Sequence, residues 1–422
     1  MRDVDPVAAW AGSGAMALTG RAEGPALGPP VGFVERVLAL EERLVGEFRS
    51  LGVALDLDAL ALLGERAALA GLRRQGDRSC GSATRLLPAG DGWLALSLAR
   101  PTDVELLAAW LGNAVTWTEN PWSSVAPAVA DRSGAELEAR AALLGLPVAV
   151  LPQGRDHTPA AGNGDASPAS DLPAVATPFG DATPAPLDEL LVVDLSSLWA
   201  GPLCAQLLGF AGARVVKVES TRRPDGARFG PPVFFDLLHA GQESVAVDFT
   251  TPAGRDDLRR LLEAADVVIE ASRPRALQQL GIDAEALLHN GRPRLWLSIT
   301  GYGRTGDAAQ RVAFGDDGAV AGGLVVRDND GPCFCADAIA DPLTGLVAAA
   351  AVLDAAAAGG RWLLDVSLRR VAAHFAAEAN TSPAVEGADI IVAQPRARPS
   401  RGVAAPLGAH TEAVLEGIGR RA

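Results

Sequence analysis

Short apolar segments alternate with longer amphipathic segments across residues 190–300. The predicted strands are Leu190–Leu195, Arg214–Glu219, Ser244–Phe249, Asp266–Glu270 and Leu295–Thr300. The predicted helices are Leu203–Phe210 after Gly201-Pro202, one from Thr251-Pro252 through Ala265, and a helical stretch that reaches Asn290. Strands that alternate with helices form parallel βαβ units, so the pattern predicts an α/β fold with a Rossmann-like parallel sheet. No G-x-G-x-x-G follows the first strand, which argues against a nicotinamide or flavin cofactor.

The first 150 residues are more helical and predict a smaller α+β domain. The predicted helices are Val34–Leu51, Leu55–Arg73, Thr102–Gly112 and Ser133–Leu144, and the predicted strands are Trp93–Leu98 and Leu146–Leu151. Thr102, with Glu105 three residues later, has the pattern of a capping box. We expect residues 91–151 to form a compact unit separate from the large sheet.

Composition divides the chain into four segments. Residues 153–186 are rich in Pro, Gly, Ala, Thr and Asp and predict a flexible linker. The predicted divisions are therefore 1–152, the linker 153–186, the sheet domain 187–385 and a C-terminal tail 386–422 with one short helix. Only about 55 residues follow Leu368, too few for a second packed core, so residues 1–155 should pack against the second part.

Charge and cysteine content narrow the function. A net charge of −14 argues against a nucleic-acid partner, and Lys217 is the only lysine, so arginine must bind any phosphate. The cysteines at 80, 204, 333 and 335 lack the spacing of a disulfide framework or a metal site and are expected to be buried. No apolar run is long and charge-free enough to cross a bilayer, and the acidic start is unlike a signal peptide, which predicts a cytoplasmic protein without a membrane partner.

The segment Cys335–Gly345 places two carboxylates, Asp337 and Asp341, just ahead of a predicted helix. Pro342 suits the first helical position, which would make Asp341 the N-cap. Asp337 has no such local duty. An acyl oxygen beside Asp337 would face the positive end of the helix. The same residues also fit a plainer interpretation, in which Asp337 is a surface acid and Asp341 is a helix cap.

These segments together resemble the class III CoA-transferases, the CaiB/BaiF type. The resemblance runs through Asp194–Pro202, Ala211–Glu219, Ser244–Gly254, Ala265–Glu270, Arg273-Pro274, Ser298–Gly303, Ala336–Gly345 and Leu364–Leu368. It implies coenzyme A as the group transferred, an acyl-CoA donor, a carboxylic acid acceptor and a homodimer, interlocked or not. Asp337 matches the family's catalytic aspartate, which forms a covalent acyl intermediate.

The resemblance also implies where CoA binds. Trp199 and Ala200 follow the first strand, and Val247–Thr250 and Ala271–Arg273 correspond to loops that contact adenine and ribose. The implied contacts are Trp199, Ala200, Arg222, Val247, Thr250, Ala271, Ser272, Arg273 and Arg311. Arg273 and Arg311 are the first candidates for phosphate, although each also fits a solvated surface arginine.

Two departures from the family pattern leave alternatives open. Residues 1–152 resemble pieces that normally follow the nucleotide-binding block, and the family's mobile glycine loop is reduced to at most Ser79–Ser82. The chain could therefore be a catalytically degenerate CoA-binding subunit. An acyl-CoA racemase or epimerase on the same fold, with Asp316 or Asp317 as the base, is the other alternative.

Overall fold

The computed structural model describes residues 4–112, 117–153, 168–376 and 390–418. In the first part the helices are α1 (Pro6–Ser13), α2 (Phe33–Ser50), α3 (Ala59–Leu62), α4 (Glu65–Ala70), α5 (Pro101–Glu105), α6 (Leu107–Leu111), α7 (Pro121–Val129) and α8 (Gly134–Leu144). The strands there are β1 (Thr84–Ala89), β2 (Gly92–Ser97) and β3 (Val148–Val150).

The second part contains the large sheet. The strands of the second part are β4 (Ala174–Gly180), β5 (Leu191–Asp194), β6 (Arg214–Ser220), β7 (Glu243–Val247), β8 (Val267–Glu270), β9 (Leu295–Thr300), β10 (Val326–Asp328), β11 (Gly331–Cys333) and β12 (Arg361–Ser367). Strands β10 and β11 form a separate two-stranded sheet. The helices of the second part are α9 (Ala200–Phe210), α10 (Pro232–His239), α11 (Pro252–Ala264), α12 (Pro274–Gln279), α13 (Ala284–Asn290), α14 (Gly315–Ala321), α15 (Ala340–Ala358), α16 (Leu368–Phe375) and α17 (Thr411–Ile418).

The large sheet has seven strands in the order β4-β12-β9-β8-β5-β6-β7. Every neighbouring pair is parallel except β4 with β12, which is antiparallel. The predicted α/β class with a Rossmann-like sheet is confirmed, and the five predicted strands match β5 to β9. Thr251 caps α11 by accepting a hydrogen bond from the Gly254 N–H, as its sequence predicts.

Helix α15 lies at the centre of the largest hydrophobic core. By length and composition alone it could cross a membrane, but 83% of its most apolar window is buried inside the protein, which is typical of a core helix. Trp10 and Phe33 of the first part join this core, with ring centroids 5.5 Å apart. Phe33 in turn lies 6.0 Å from Phe375 of the second part. The two parts therefore pack on each other within one chain.

Strands β1 to β3 form a separate antiparallel sheet. Trp110, Val125 and Leu137 pack against it in a core of their own. The expected compact α+β unit at residues 91–151 is therefore present in the described residues and begins earlier, at Thr84.

Three local predictions are wrong. Residues 174–180, inside the predicted linker, form β4 at the edge of the large sheet, whereas residues 154–167 of that linker lie outside the described residues. The predicted helix Leu55–Arg73 is divided at Gly64, where an added Cβ would come within 3.0 Å of Pro395. Helix α5 starts at Pro101 and its N-cap is Arg100, so Thr102 lies inside the helix and does not cap it. Asp103 accepts a hydrogen bond from the Arg100 N–H.

The C-terminal segment runs across both parts. The Ala393 N–H donates a hydrogen bond to the carbonyl of Ala11, near the end of α1. Further on, α17 packs against β7 and α11, and the Ser244 N–H donates to Nδ1 of His410 at 3.0 Å. The predicted short C-terminal helix is confirmed as α17, and residues 377–389, at the predicted boundary of the tail, lie outside the described residues.

Candidate active site

Asp337 lies in a strained loop directly before α15. Its neighbours Ala336 and Ala338 have φ angles of 53° and 45°, in the left-handed region that costs an alanine about 1–2 kcal/mol. The helix begins at Ala340 and its N-cap is Ile339, which makes no side-chain capping bond. The prediction that Asp341 is the N-cap is therefore wrong: the helix begins two residues earlier than Pro342 suggested, and Asp341 lies inside the first turn.

A bidentate ion pair holds Asp337 from the other part of the chain. Nε of Arg66 donates to Oδ2 at 2.9 Å, and Nη2 donates to Oδ1 at 2.5 Å. The Asp337 side chain is 0% exposed, whereas that of Arg66 in α4 is 30% exposed. The carboxylate is thus fully buried, and part of the Arg66 side chain reaches the surface.

The strained loop is fixed by contacts to its backbone. Oγ1 of Thr19 accepts a hydrogen bond from the Ala336 N–H at 3.0 Å, and Oδ1 of Asp316 accepts one from the Ala338 N–H at 3.1 Å. The carbonyl of Ala336 accepts a bond from the Cys80 thiol at 3.4 Å. These bonds, two of them from the first part of the chain, restrain the two alanines in their unfavourable conformation.

Three further carboxyl groups surround the loop. Burial raises the pKa of Asp316 to about 6, with the charge of Asp337 as a second cause. Burial also raises the pKa of Asp341 to about 7, against the opposing effect of Arg66. The pKa of Asp317 is raised to about 7 by burial, although Ser97 donates a hydrogen bond to it at 2.6 Å. Near neutral pH this cluster therefore retains protons that exposed aspartates would have lost.

Ser79–Ser82, the segment that resembles a reduced glycine loop, covers Asp337. The Cys80 thiol contacts the loop as described, and burial raises its pKa well above the usual range. An added Cβ at Gly81 would lie 3.7 Å from Nη2 of Arg66. Ser82 is itself left-handed, with a φ of 63°. Ser79–Ser82 therefore lies against both the loop that carries Asp337 and its partner Arg66.

Gly315 packs directly beneath the Asp337 loop. A Cβ at this position would lie 2.5 Å from the carbonyl oxygen of Ala338 and 2.7 Å from Oδ2 of Asp341. Glycine is therefore required for the close approach of α14 to the loop.

Trp199 and Ala200 lie near Asp337, at the start of α9. The Trp199 ring is 1% exposed and packs edge-on against Phe234, with centroids 5.4 Å apart. The guanidinium carbon of Arg66 is 5.8 Å from the Trp199 centroid. The backbone of Leu198, which precedes Trp199, is left-handed with a φ of 72°. The Leu198 N–H donates a hydrogen bond to Asp225. This loop therefore connects the end of β5 to the Asp337 ion pair.

Lys217, the only lysine, is buried behind the loop that follows β5. Its Nζ is 3.1 Å from Asp225 and 3.6 Å from Asp194, and it also donates to the carbonyl of Ser196. Its charge is therefore used inside the protein, which leaves phosphate binding to arginine as predicted from the composition.

The other predicted CoA contacts follow the ends of β7 and β8. Val247 is buried, whereas Thr250 is exposed and donates to Asp248, which also pairs with Arg222 at 3.0 Å. The Arg222 side chain is 72% exposed.

Ala271 and Arg273 are exposed, and Ser272 donates to Glu270 through its N–H and hydroxyl. Although Arg273 is exposed, partial loss of contact with water lowers the pKa of its guanidinium, and the positive charges of three arginines lower that pKa further. Those three are Arg275, Arg100 and Arg223. Four arginines thus lie near one another at the carboxyl ends of the strands. Arg100 comes from the first part, and its guanidinium pairs with Asp103 at 2.5 Å.

Arg311 lies elsewhere, at the contact between the two parts. Its Nη2 pairs with Glu138 at 2.8 Å and donates to the carbonyl of Val148 and the hydroxyl of Tyr302. The structure does not bring it together with Arg273, and a role in phosphate binding remains a prediction.

Arg66 is the functional residue that the sequence did not indicate. It is 271 positions from Asp337, in a short helix with no motif of its own. No pattern in the sequence around Arg66 marks it, and the burial of the neighbouring Glu65, at 1% exposure, is visible only in the structure.

The chain is similar in sequence to known CoA-transferases. Over 225 residues the chain is 30% identical to the succinate–glutarate CoA-transferase of Agrobacterium fabrum, covering 48% of this chain and 56% of the relative. It is 32% identical over 148 residues to the succinyl-CoA–D-citramalate CoA-transferase of Chloroflexus aurantiacus, covering 33% and 37%. A crystal structure of a CAIB/BAIF family protein from Brucella suis is 33% identical, with a TM-score of 0.40 and coverage of 46% and 55%.

The chain spans between about two fifths and just over half of the length of these curated relatives. The family model for CoA-transferase family III matches residues 187–401, just over half of the chain. The chain therefore belongs to CoA-transferase family III.

Proposed function

We propose that the chain transfers CoA between carboxylic acids, with Asp337 as the covalent nucleophile. The observation that carries this proposal is the arrangement of Asp337: a buried carboxylate in a strained loop at the start of α15, paired with a guanidinium. Among the described residues the Asp337 side chain is hydrogen-bonded only to Arg66, and a buried ion pair beside a strained loop is a costly feature to maintain without chemical use.

The proposed reaction has four steps. An Oδ atom of Asp337 attacks the thioester carbonyl, which forms a mixed anhydride and releases the CoA thiolate. The thiolate attacks the Asp337 carbonyl, which gives an aspartyl-CoA thioester and releases the donor acid as a carboxylate. An acceptor carboxylate attacks that thioester and expels the thiolate, which then attacks the acceptor acyl carbonyl and regenerates Asp337.

CoA would bind at the carboxyl ends of the parallel strands, where ligands of doubly wound sheets bind. The exposed Arg222 and Arg273 lie after β6 and β8, and Arg223 and Arg275 add positive charge beside Arg273. Phosphate groups would neutralise this cluster, so CoA affinity should weaken with rising salt.

The test compares Asp337→Asn with Asp341→Asn during incubation with acyl-CoA and hydroxylamine. Hydroxylamine converts an aspartyl thioester or anhydride into a hydroxamate, which mass spectrometry locates. We expect the Asp337 hydroxamate and acyl exchange in the wild type and in Asp341→Asn, and neither in Asp337→Asn. Exchange that survives in Asp337→Asn would contradict the covalent role and leave a CoA-binding subunit as the alternative.

A racemase or epimerase is the second candidate, because Asp316 is buried beside Asp337 with a pKa raised to about 6. Such a carboxylate is better suited than an ordinary aspartate to remove an α-proton. Incorporation of deuterium at the α-carbon of an acyl-CoA in D₂O, without acyl exchange, would favour this candidate over transfer.

The substrate and the assembly need separate measurements. A thermal-shift screen with a panel of acyl-CoAs identifies the donor, because a ligand that binds the native state raises the melting temperature. The homodimer and the cytoplasmic location remain predictions. Light scattering after size exclusion tests the homodimer, and fractionation of cells that produce the chain tests the location.

A further inference from the structure

We propose that Arg66 is the carboxylate-binding residue of the reaction. Its guanidinium pairs with Asp337 at rest and, once Asp337 is acylated, pairs with the carboxylate of the departing or arriving acid. This inference rests on the proposed function and assigns a substrate-binding role to a residue of the first part.

The geometry supplies both functions from one side chain. The two hydrogen bonds of Arg66 at 2.9 and 2.5 Å form the fork that guanidinium groups make with carboxylates. Within the described part of the chain, Asp337 accepts both hydrogen bonds that the Arg66 side chain donates. Asp337 is 0% exposed, whereas the Arg66 side chain is 30% exposed, so Arg66 is the member of the pair that reaches the surface of the protein.

Charge conservation makes the exchange of partners favourable. When Asp337 becomes an acyl anhydride or thioester, its negative charge is lost and Arg66 loses its counterion. In the same sequence of steps the donor acid leaves the Asp337 carbonyl as a carboxylate, and the acceptor arrives as one. An unpaired cation in a desolvated site is costly, so this carboxylate is the natural replacement partner.

Two other acids face Arg66 and could compete for it. Asp316 and Asp341 both act on its charge, but Asp316 is engaged with the Ala338 N–H. Burial raises the pKa values of these two groups to about 6 and about 7. Burial is the largest cause for both groups and acts whether or not Asp337 is charged, so both bind protons more tightly than a free carboxylate does.

The first test measures carboxylate binding without catalysis. In Asp337→Ala the guanidinium is free and a cavity the size of a small carboxylate opens beside it. We expect sodium acetate to raise the melting temperature of Asp337→Ala relative to equal sodium chloride, and to have no such effect on the wild type. The double variant Asp337→Ala/Arg66→Gln, which removes both charges, should lose the response, whereas Asp337→Ala/Arg73→Gln should retain it, because Arg73 is exposed just beyond α4. An equal acetate response in the Arg66 double variant would overturn the role of Arg66.

The second test measures the acceptor step. In Arg66→Gln we expect the KM for the acceptor acid to rise by about 10-fold or more, because a charge-assisted pair is lost, while the aspartyl-CoA thioester still forms. Arg66→Lys should recover part of this loss. An unchanged acceptor KM in Arg66→Gln would overturn the inference. Absence of any thioester in the wild type would instead overturn the proposed function, and the acetate measurement would still judge Arg66.

Discussion

The loop around Asp337 is held in its conformation by close packing as well as by hydrogen bonds. Ala336 and Ala338 occupy a region that disfavours them, and Gly315 leaves no space for them to relax toward α14. The position of Asp337 therefore depends on a residue that has no chemistry of its own.

Gly315→Ala should displace the Asp337 loop. The new Cβ would lie 2.5 Å from the Ala338 carbonyl, so we expect a loss of about 1–3 kcal/mol in the free energy of unfolding and a large loss of exchange activity. Gly46→Ala in the interior of α2 is the matched control, because nothing lies within 4 Å of its Cβ. The control should gain up to about 1 kcal/mol, measured by urea unfolding. Full activity in Gly315→Ala would show that the loop tolerates movement.

The carboxyl cluster should make stability depend on pH. Burial raises the pKa of Asp341 to about 7 from the usual 3.8, so the folded protein binds a proton more tightly than the unfolded chain. This contribution to stability is complete below about pH 4 and is lost as the pH rises through about 7. Asp341→Asn cannot ionise, so its free energy of unfolding should fall less between pH 5 and pH 8 than that of the wild type. An identical fall in both proteins would assign the dependence to other groups.

At this scale the sequence singled out Asp337 but not its partner. Asp337 belongs to a local pattern of acids, proline and an apolar helix, which a single sequence can reveal. Arg66 reaches it only through folding, across 271 positions, and no local pattern marks it. The wrong assignment of Asp341 as the N-cap has a similar cause, since the buried helix start at Ile339 is set by packing rather than by a capping side chain.

At the scale of elements, α4 is anchored by the C-terminal segment 390–400. Glu65, next to Arg66, is 1% exposed and accepts from Nε of Arg398 at 2.6 Å and from its Nη2 at 3.1 Å. Arg398 also donates to Gln206 of α9 at 3.1 Å. The position of Arg66 therefore depends on a segment more than 300 residues away.

Arg398→Ala should be strongly destabilising, because it leaves the buried Glu65 carboxylate without its cation. We expect a loss of about 3 kcal/mol in the free energy of unfolding and reduced exchange activity, since α4 carries Arg66. Arg396→Ala, two residues earlier, breaks a pair with Asp58 whose side chains are 53% and 54% exposed. That control should lose less than about 1 kcal/mol. Equal losses in the two variants, measured by urea unfolding, would contradict the anchoring role of Arg398.

The sequence predicted elements best where patterns were local and repeated. The alternation of strand and helix in residues 190–300 gave β5 to β9 almost to the residue. Strand β4 was missed because its Thr177-Pro178 composition resembles a linker, and an edge strand tolerates a proline that a central strand would not. The predicted helix Leu55–Arg73 is divided at Gly64, which packs closely against Pro395, a contact that no local pattern near Gly64 could reveal.

At the scale of the whole molecule, the largest hydrophobic core is built from both parts. Trp10, Phe33 and Phe48 belong to the same cluster as α9 and α15, and the charged pair of the candidate site joins Arg66 to Asp337 across the same boundary. The small number of residues after Leu368 predicted that the parts would pack together. The sequence could not reveal that the first part would also supply Arg66 to the site.

A chain divided between residues 153 and 168 should therefore function only when both pieces are present. Fragment 168–422 keeps β4 with its partner β12 but loses Trp10, Phe33 and Arg66, so alone it should expose the apolar faces of α9 and α15 and fail to unfold cooperatively. Produced together with fragment 1–153, it should co-purify as a complex and recover acyl exchange. The same pair with Arg66→Gln in fragment 1–153 should assemble with impaired use of the acceptor, which separates assembly from chemistry. Fragment 168–422 that unfolds cooperatively and exchanges CoA on its own would show that the first part is dispensable and that Arg66 has no place in the reaction.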